Sequence, residues 1–291
     1  MWVNEKEYTV EETTENSFDG IDIVLGAAEN DIAKKYLPIA VEKGAVVVDN
    51  SSAYRLDDNV PLVIPEVNPN DVKKHKGIIA NPNCATIIAL VALQPLHAYA
   101  HAKRMVVSTY QAVSGAGVGG IRELQQQVEA IHDNKPVEVK NFQYQIAYNL
   151  IPQIGGFNEE GYSSEEMKMQ FEGRKIQSNP ELSVNCTCVR VPVFRSHSES
   201  IMVEFEKPID VEKAKVLLKD AAGVKLVDDP VNKVYPMPLD TTDQDLVYVG
   251  RIRKDMSGHE NALSFWCCGD QVRKGAATNA VQIAELVIQN M

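Results

Sequence analysis

A cysteine at the start of a predicted helix is the first residue in this sequence that suggests chemistry. Cys84 follows the polar break Asn81-Pro82-Asn83, which separates the apolar run 77–80 from a long apolar stretch typical of a buried helix. Asn81 or Asn83 can cap this helix, and Pro82 suits its entry. Free N–H groups and the helix dipole favour a thiolate there, which predicts a nucleophile. The alternative is a buried structural thiol.

An arginine and a histidine seven positions apart, Arg190 and His197, are the next candidates. Histidine titrates near neutral pH, so it can take a proton from a thiol and return it to an intermediate. Arginine can bind a carboxylate through two hydrogen bonds. Strand alternation puts Cys186 and Cys188 on the same face as Arg190, which leaves room for a ligand. The alternatives are a histidine that caps a turn and an arginine that pairs with a glutamate on a sheet face.

Length and composition predict two domains. The chain has 291 residues, and 44% of them are hydrophobic, which is enough for a core in each domain. It has neither an apolar run of about 18 residues nor a secretion signal at Met1, so we expect a soluble, cytoplasmic protein without a membrane partner. The five cysteines lack zinc-ligand spacing, which predicts no metal site and four core thiols besides Cys84.

The net charge limits the possible partners. The formal charge is −11, and basic residues form no cluster longer than a pair, so we expect no nucleic-acid partner. An anionic substrate would have to be bound by individual arginines against an unfavourable overall field. The candidates are Arg55, Arg190 and Arg195.

Apolar runs in the first part of the chain predict a parallel sheet. The predicted strands span residues 7–10, 21–25, 45–49, 62–66 and 78–80. Most of them lack polar alternation, and a helix pattern over 29–43 separates two of them. This arrangement is typical of a parallel sheet covered on both faces, so the first part is predicted to be α/β.

The second part of the chain has a different pattern, which predicts an α+β domain of antiparallel strands with helices on one face. The predicted strands are 104–112, two segments within 184–206, 246–252 and 262–268. The predicted helices are 121–132, 211–222 and 274–290.

A glycine-rich segment, Gly115–Gly120, matches the dinucleotide fingerprint G-x-G-x-x-G between a strand and a helix. The fingerprint requires a second parallel strand that ends in an acidic residue about 20 positions later. Residues 133–138 form a polar loop instead. We therefore favour a glycine loop that lets a bound ligand approach the backbone, and an ordinary helix-entry turn is the alternative.

Four motifs in a fixed order resemble the aspartate-semialdehyde dehydrogenase family, and the resemblance extends over essentially the whole chain. The motifs are Asn-Pro-Asn-Cys-Ala-Thr at 81–86, Tyr-Gln-Ala-Val-Ser-Gly-Ala-Gly at 110–117, Arg-Val-Pro-Val with a later His at 190–197, and Arg-Lys-Gly-Ala-Ala-Thr-Asn-Ala at 273–280.

The resemblance implies three catalytic residues: Cys84 as the nucleophile, His197 as the acid/base and Gln111 as the residue that orients the intermediate. The implied substrate-binding residues are Arg190 for the α-carboxylate, Glu165 and Lys168 for the amine and the phosphate, Arg55 for the phosphate, and Asn83. The implied cofactor-binding residues are Ser51, Ser114, Gly115 and Asn279, the last near the nicotinamide amide.

The implied reaction is the NADPH-dependent reductive dephosphorylation of 4-phospho-L-aspartate to L-aspartate 4-semialdehyde through a cysteine thioester. This step belongs to diaminopimelate, lysine, methionine and threonine biosynthesis. The resemblance also implies a homodimer or homotetramer. Two alternatives stay open: an enzyme similar to N-acetyl-glutamyl-phosphate reductase, and a catalytically weak remnant that only oligomerises.

The resemblance implies an incomplete Rossmann-type domain over 1–84 and 273–291, and a catalytic and dimerisation domain over 85–272. The family begins with a strand and a glycine-rich turn that binds the cofactor pyrophosphate, whereas residues 1–19 contain no glycine. We therefore expect a missing β-α unit of roughly 30 residues, unpaired strand edges, weak NADP binding and slow turnover. A shortened gene model or fragment is the expected cause; a crippled paralogue or a segment supplied by another chain are the alternatives.

Overall fold

A short hairpin and two sheets organise the part of the chain that the computed structural model describes, residues 2–3, 5–257 and 259–290. The hairpin pairs β1 (Trp2–Val3) with β2 (Lys6–Glu7). The first sheet has three parallel strands in the order β3-β4-β5, which are Ile23–Gly26, Val46–Asp49 and Ile78–Ala80.

The valines of β4 explain why this sheet is covered on both faces. Successive side chains of a strand point to opposite sides. Val47 packs with Leu37 of helix α1 (Asn30–Glu42), and Val48 packs with Ile283 of helix α7 (Thr278–Asn290). The prediction of a parallel sheet with helices on both faces is confirmed.

Two of the predicted strands are wrong. Of the predicted strand 7–10, only Glu7 lies in a described strand, Lys6–Glu7. Within 62–66, only Leu62 forms an isolated bridge, to Ala80. The ladder stops because the Ile64 N–H donates to the Asn68 side chain at 2.9 Å and Pro65 has no N–H.

Strand β3 pairs with β4 on one side and has no second neighbour among the described residues. Leu25 of this strand is 49% exposed, and Ile21 before it is 42% exposed. Two exposed apolar side chains therefore lie at or beside this edge strand of the described sheet.

The second sheet has six strands in the order β7-β6-β8-β11-β10-β9. These strands are Ser183–Arg190, Ala102–Gln111, His197–Phe205, Ala262–Gly269, Val247–Lys254 and Val224–Leu226, respectively. The pairs β6–β7 and β9–β10 are parallel, whereas the other pairs are antiparallel, so the sheet is mixed rather than wholly antiparallel.

Helices cover one face of this mixed sheet, as predicted for the α+β part. The packed helices are α2 (Cys84–Ala100), α4 (Ser164–Ile176) and α5 (Val211–Lys219). Helix α2 is apolar around nearly its whole circumference and is therefore buried. It shares one core with the mixed sheet and with Leu62, Ile64 and Ala80 of the first part.

The two other α-helices of the described residues are α3 (Gly117–His132) and the short α6 (Pro238–Thr241). A 3₁₀ turn at Val113–Ala116 precedes α3, and a wide helical turn at Arg273–Ala277 precedes α7. None of the helices in the described ranges combines the length and the apolar composition needed to cross a membrane.

Candidate active site

The predicted nucleophile and the predicted histidine meet, although 113 positions separate them in the chain. Cys84 Sγ lies 3.5 Å from His197 Nε2. Cys84 begins α2 and His197 begins β8, so the two ends of these elements converge. A cavity of ≈ 520 Å³ opens there, lined by Cys84 together with Arg55, Asn81, Ser114, Gly115 and Gln271.

The position of Cys84 follows from the cap of α2. The side-chain oxygen of Asn83 accepts hydrogen bonds from the Ala85 N–H at 3.0 Å and the Thr86 N–H at 3.3 Å. Asn83 is therefore the N-cap, one of the two residues predicted for this role, and it places the cysteine in the first turn.

The environment of Cys84 favours the thiol. Desolvation, followed by the negative charge of Glu165, raises the pKa of Cys84 to about 12, although Arg55, Arg190 and the Ala85 N–H act in the opposite direction. The surroundings of Cys84 therefore work against the predicted thiolate, and its role as the nucleophile stays a prediction.

The ring of His197 is held in one protonation state. Burial, followed by the charge of Arg190, lowers the pKa of His197 to about 3, so the imidazole is neutral near pH 7. The Ala112 N–H donates to Nδ1 at 3.0 Å, which leaves the ring proton on Nε2, facing Cys84. Gln111 Nε2 also lies 3.3 Å from this ring nitrogen. The sequence predicted that neutral His197 removes the thiol proton, and its role as the acid/base stays a prediction.

Arg190 lies beside both residues. Its Nη1 donates to the Ala112 carbonyl at 2.6 Å. A Cβ added at Gly115 would lie 2.7 Å from Arg190 Nη1 and 3.3 Å from the His197 ring. A larger residue at position 115 would therefore displace the arginine head group, and the structure brings Cys84, His197 and Arg190 together.

Gln111, Glu165, Lys168 and Asn83 form one polar network, of which only Asn83 lines this cavity. The Gln111 amide donates to Glu165 Oε1 at 3.1 Å, and the Asn83 amide donates to the same oxygen at 2.9 Å. Lys168 pairs with Glu165 Oε2 at 2.9 Å. Desolvation raises the pKa of Glu165, but Lys168 and the two amides outweigh it and lower the pKa to about 2. Glu165 is therefore an ionised carboxylate.

Of the three candidate arginines, Arg55 has the most suitable geometry for a second anion. It lines the cavity and donates to Glu172 at 3.2 Å and to the Asn50 carbonyl at 2.9 Å. Its buried Nε has no hydrogen-bond partner among the described residues. Arg195 pairs instead with Asp243 at 2.9 Å and Asp270 at 2.8 Å, so it is already neutralised.

The predicted cofactor residues divide into two groups. Ser114 and Gly115 line the cavity, and so does Gly117, as expected for a glycine loop that a ligand approaches. Ser51 does not line it, because its hydroxyl donates to Asp49 at 2.7 Å. Asn279 does not line it either, since its side chain is fully buried.

Several cavity residues had no predicted binding role, namely Ala27, Asn50, Asn81, Gln271 and Gly275. A usable signal existed for two of them. Asn50 follows β4 directly and Asn81 follows β5, and ligands of parallel sheets bind beyond the carboxyl ends of the strands. These residues and Gly117, beside which the space is open, suit a ligand that approaches the backbone closely, such as a nucleotide.

The described residues contain no group of three or more His, Cys, Asp or Glu side chains that could hold a metal ion.

Comparison with known families identifies both parts of the chain. The family described as "Semialdehyde dehydrogenase, NAD binding domain" matches residues 2–75. The family described as "Semialdehyde dehydrogenase, dimerisation domain" matches residues 93–274. The chain thus contains a nicotinamide-dinucleotide-binding domain and a domain that supports oligomerisation.

Individual relatives agree with these matches. The aspartate-semialdehyde dehydrogenase of Aquifex aeolicus is 53% identical over 288 residues, covering 98% of this chain and 84% of that protein. The enzyme of Campylobacter jejuni is 51% identical over 286 residues, covering 96% of this chain and 83% of that protein.

Solved structures show the same fold. Aspartate semialdehyde dehydrogenase II from Vibrio cholerae, complexed with ASA, has a TM-score of 0.90 and 46% identity, covering 92% of this chain and 80% of that chain. The enzyme from Candida albicans, solved with NADP, has a TM-score of 0.71 and 27% identity, covering 91% of this chain and 77% of that chain. Neither alternative considered from the sequence is favoured by these matches.

Proposed function

The chain belongs to the aspartate-semialdehyde dehydrogenase family, and from this premise we propose that it reduces 4-phospho-L-aspartate to L-aspartate 4-semialdehyde through a thioester on Cys84. The observation that carries the proposal is the 3.5 Å contact between Cys84 Sγ and His197 Nε2 over a cavity that Arg55 also lines.

In the first step, the sulfur attacks the acyl carbon and phosphate leaves. The thiol proton leaves with the phosphate, because His197 Nε2 already carries a proton. That N–H donates to the sulfur as negative charge develops there, which stabilises the thiolate only during the reaction. Arg55, which lines the cavity, and Lys168 bind the departing phosphate.

In the second step, the thioester is reduced. A bound reduced nicotinamide supplies the hydride, and Asn50, Asn81, Ser114, Gly115 and Gly117 are the residues that would hold it. His197 Nε2–H would donate a hydrogen bond to the oxyanion that hydride addition leaves on the former carbonyl oxygen. Collapse of this oxyanion gives the aldehyde and releases the sulfur as a thiolate, which regains a proton from solvent.

Glu165 supports the choice of a free amino acid over an acetylated one. Its pKa of about 2 means that a full negative charge faces the substrate. An α-ammonium can pair with that carboxylate, while Arg190 pairs with the α-carboxylate. Acetylation removes the ammonium charge, so an N-acetyl-glutamyl phosphate would lose the ion pair with Glu165, whose contacts with Lys168, Gln111 and Asn83 lie within the protein.

NADP is the proposed cofactor, and the support is the NADP complex of the Candida albicans relative. We also propose Rossmann-type and catalytic domains with boundaries at 84/85 and 272/273, and a location in the cytoplasm, which agrees with five unpaired cysteines.

A homodimer or homotetramer is proposed, formed through the face of the mixed sheet opposite α2. Partly exposed Tyr110, Met202 and Trp266 lie on this face, and the rings of Tyr110 and Trp266 are 5.3 Å apart. Light scattering measures the molar mass of the protein and of Trp266→Glu. We expect an oligomer for the protein and a smaller mass for the variant, and a monomer in both cases would refute the proposal.

The reaction itself is tested with two acyl phosphates and two cofactors. We expect NADPH oxidation with 4-phospho-L-aspartate, at least tenfold slower oxidation with N-acetyl-glutamyl phosphate or with NADH, and none in Cys84→Ser. Equal rates with both acyl phosphates, or residual activity in Cys84→Ser, would contradict the proposal.

A further inference from the structure

A buried lysine, Lys274, begins a series of hydrogen bonds that runs through three asparagine side chains to the cavity. We call this series the asparagine relay; its members are Lys274, Asn279, Asn81 and Asn50. We infer that Lys274 and Asn279 are positioning residues that orient the amides of Asn81 and Asn50 toward the nicotinamide nucleotide. This inference rests on the proposed function, because it names the groups that receive the nucleotide at the same site.

Lys274 determines which group donates and which accepts in each hydrogen bond of the asparagine relay. Its side chain is fully buried, and Nζ donates to Glu66 at 2.6 Å, to Gln282 at 2.7 Å and to Asn279 Oδ1 at 3.0 Å. An ammonium has three N–H groups and no acceptor, so all three are used. Because the ammonium can only donate, the oxygen of the Asn279 amide must face it.

The donor-to-acceptor direction is then passed from one amide to the next. Asn279 Nδ2 donates to Asn81 Oδ1 at 2.6 Å and to the Val63 carbonyl at 3.1 Å. Asn81 Nδ2 donates to Asn50 Oδ1 at 2.8 Å, and Asn50 Nδ2 donates to the Gly26 carbonyl at 2.9 Å. Flipping one amide alone would bring two NH₂ groups or two oxygens together, so a charge at one end orients all three amides.

The far end of the asparagine relay lies where a nucleotide binds in a parallel sheet. Gly26 ends β3, Asn50 follows β4 and Asn81 follows β5, so the hydrogen bonds of the asparagine relay run along the carboxyl ends of these three strands. Asn50 and Asn81 both line the cavity.

An inventory of hydrogen bonds shows what the cavity receives. The second N–H of Asn81 donates to the Ala276 carbonyl at 3.2 Å, so both of its N–H groups are used. Asn50 uses one N–H and one oxygen lone pair in the asparagine relay, which leaves one of each. This pair, at fixed orientation, suits a ligand group that both donates and accepts, such as a ribose hydroxyl or a carboxamide.

The same geometry explains Asn279, which the sequence predicted to contact the nicotinamide. Its side chain makes three hydrogen bonds inside the protein and reaches no cavity surface. Its effect on the nucleotide is therefore indirect and passes through Asn81.

The test compares two isosteric substitutions beside Lys274. Asn279→Asp keeps an acceptor for the ammonium but removes the N–H donor to Asn81. The Asn81 amide must then turn its NH₂ group toward position 279, which exchanges donor and acceptor in the hydrogen bond to Asn50. Gln282→Glu also places a carboxylate against Lys274 but lies outside the asparagine relay. We expect Asn279→Asp to weaken NADP⁺ binding, measured by calorimetry, about tenfold, the effect of about one hydrogen bond. Gln282→Glu should bind within about twofold of the parent.

A second measurement separates positioning from general damage. The burst of phosphate from 4-phospho-L-aspartate without cofactor should be unchanged in Asn279→Asp, because acylation of Cys84 needs no nucleotide. Equal binding losses in both variants, no loss in either, or no NADP⁺ binding by the parent would overturn the inference. A parent that binds NADP⁺ but releases no phosphate would refute the proposed function and leave the binding comparison intact.

Discussion

At Cys84, burial and a nearby carboxylate affect the pKa of the thiol more than the helix N-terminus does. A helix N-terminus stabilises a negative charge by about 0.3–1 kcal/mol at exposed positions. The pKa of Cys84 rises from the ordinary thiol value of 9.0 to about 12, and each pKa unit corresponds to about 1.4 kcal/mol. Desolvation and Glu165 therefore exceed the helix effect, and the sulfur stays protonated until a substrate changes the balance of charge.

The protonation of Cys84 predicts its reactivity. In the ligand-free protein, alkylation by iodoacetamide should accelerate about tenfold per pH unit from pH 7 to 9 without a plateau, because only the rare thiolate reacts. Mass spectrometry measures the modified peptide, and Cys84→Ser gives the background from the four buried thiols. A plateau below pH 8 would show that the thiolate is already the resting form.

The neutral His197 predicts a pH dependence of stability. Its folded pKa of about 3 lies below the ordinary value of 6.5, so between these values the unfolded chain binds a proton that the folded chain does not. Stability from this group is present above pH 6.5 and is lost as pH falls, by about 1.4 kcal/mol per unit. Urea unfolding from pH 7 to 5 should show a smaller loss in His197→Gln than in the parent; parallel curves would contradict this.

At the scale of elements, helix α4 contacts both Arg55 and Asn83, and so fixes the candidate phosphate arginine relative to the start of helix α2. Its residues Glu165, Lys168, Glu172 and Lys175 follow the 3–4 spacing of one helix face. Glu172 accepts from Arg55 at 3.2 Å and from the Asn83 N–H at 2.7 Å. Lys175 Nζ donates to the carbonyls of Arg55, Asp57 and Val60 at 2.6–2.9 Å. One helix therefore sets both the candidate phosphate arginine and the residue before the nucleophile.

The role of α4 predicts the effect of Glu172→Gln. The amide keeps the volume and one acceptor but loses the charge that holds Arg55, so the KM for the acyl phosphate should rise about tenfold with a smaller change in kcat. Steady-state kinetics measures this. Arg174→Gln on the same helix, where Arg174 donates to the Leu182 carbonyl at 2.8 Å, serves as the control. Equal effects of the two substitutions would argue against the positioning role.

At the scale of the whole molecule, the mixed sheet contains a buried carboxyl group below the site. Glu199 is fully buried, and neither side-chain oxygen has a partner among the described residues. It lies opposite Thr109 on β6 and Cys267 on β11. Desolvation, followed by the nearby Cys188, raises the pKa of Glu199 well above 4.5. The fold therefore carries this residue as a neutral acid.

This neutral acid predicts a stability change of opposite sign to that of His197. Above pH 4.5 the unfolded chain releases the Glu199 proton while the folded chain retains it, so stability falls as pH rises, by about 1.4 kcal/mol per unit. Glu199→Gln should therefore gain stability over the parent between pH 5 and 8. Urea unfolding measures this, with exposed Glu181→Gln as the control. A difference in unfolding free energy between Glu199→Gln and the parent that does not change with pH would show that Glu199 is not a neutral acid in the folded protein.

The sequence by itself determined the parts of this protein that depend on neighbours a few positions away. The valines of β4 indicated a doubly covered parallel strand, Asn83 was one of two predicted caps, and the motif around Cys84 pointed to the family. Such features depend on local backbone geometry and on the period of apolar residues, which a linear sequence contains directly.

Only the tertiary structure decided the protonation states and the cavity lining. The thiol of Cys84 depends on Glu165, which lies on another helix, and the place of Asn279 behind Asn81 depends on contacts 198 positions apart. Desolvation and hydrogen-bond direction are set by atoms that folding brings together. No local pattern contains them, because they arise only once distant elements pack around the same cavity.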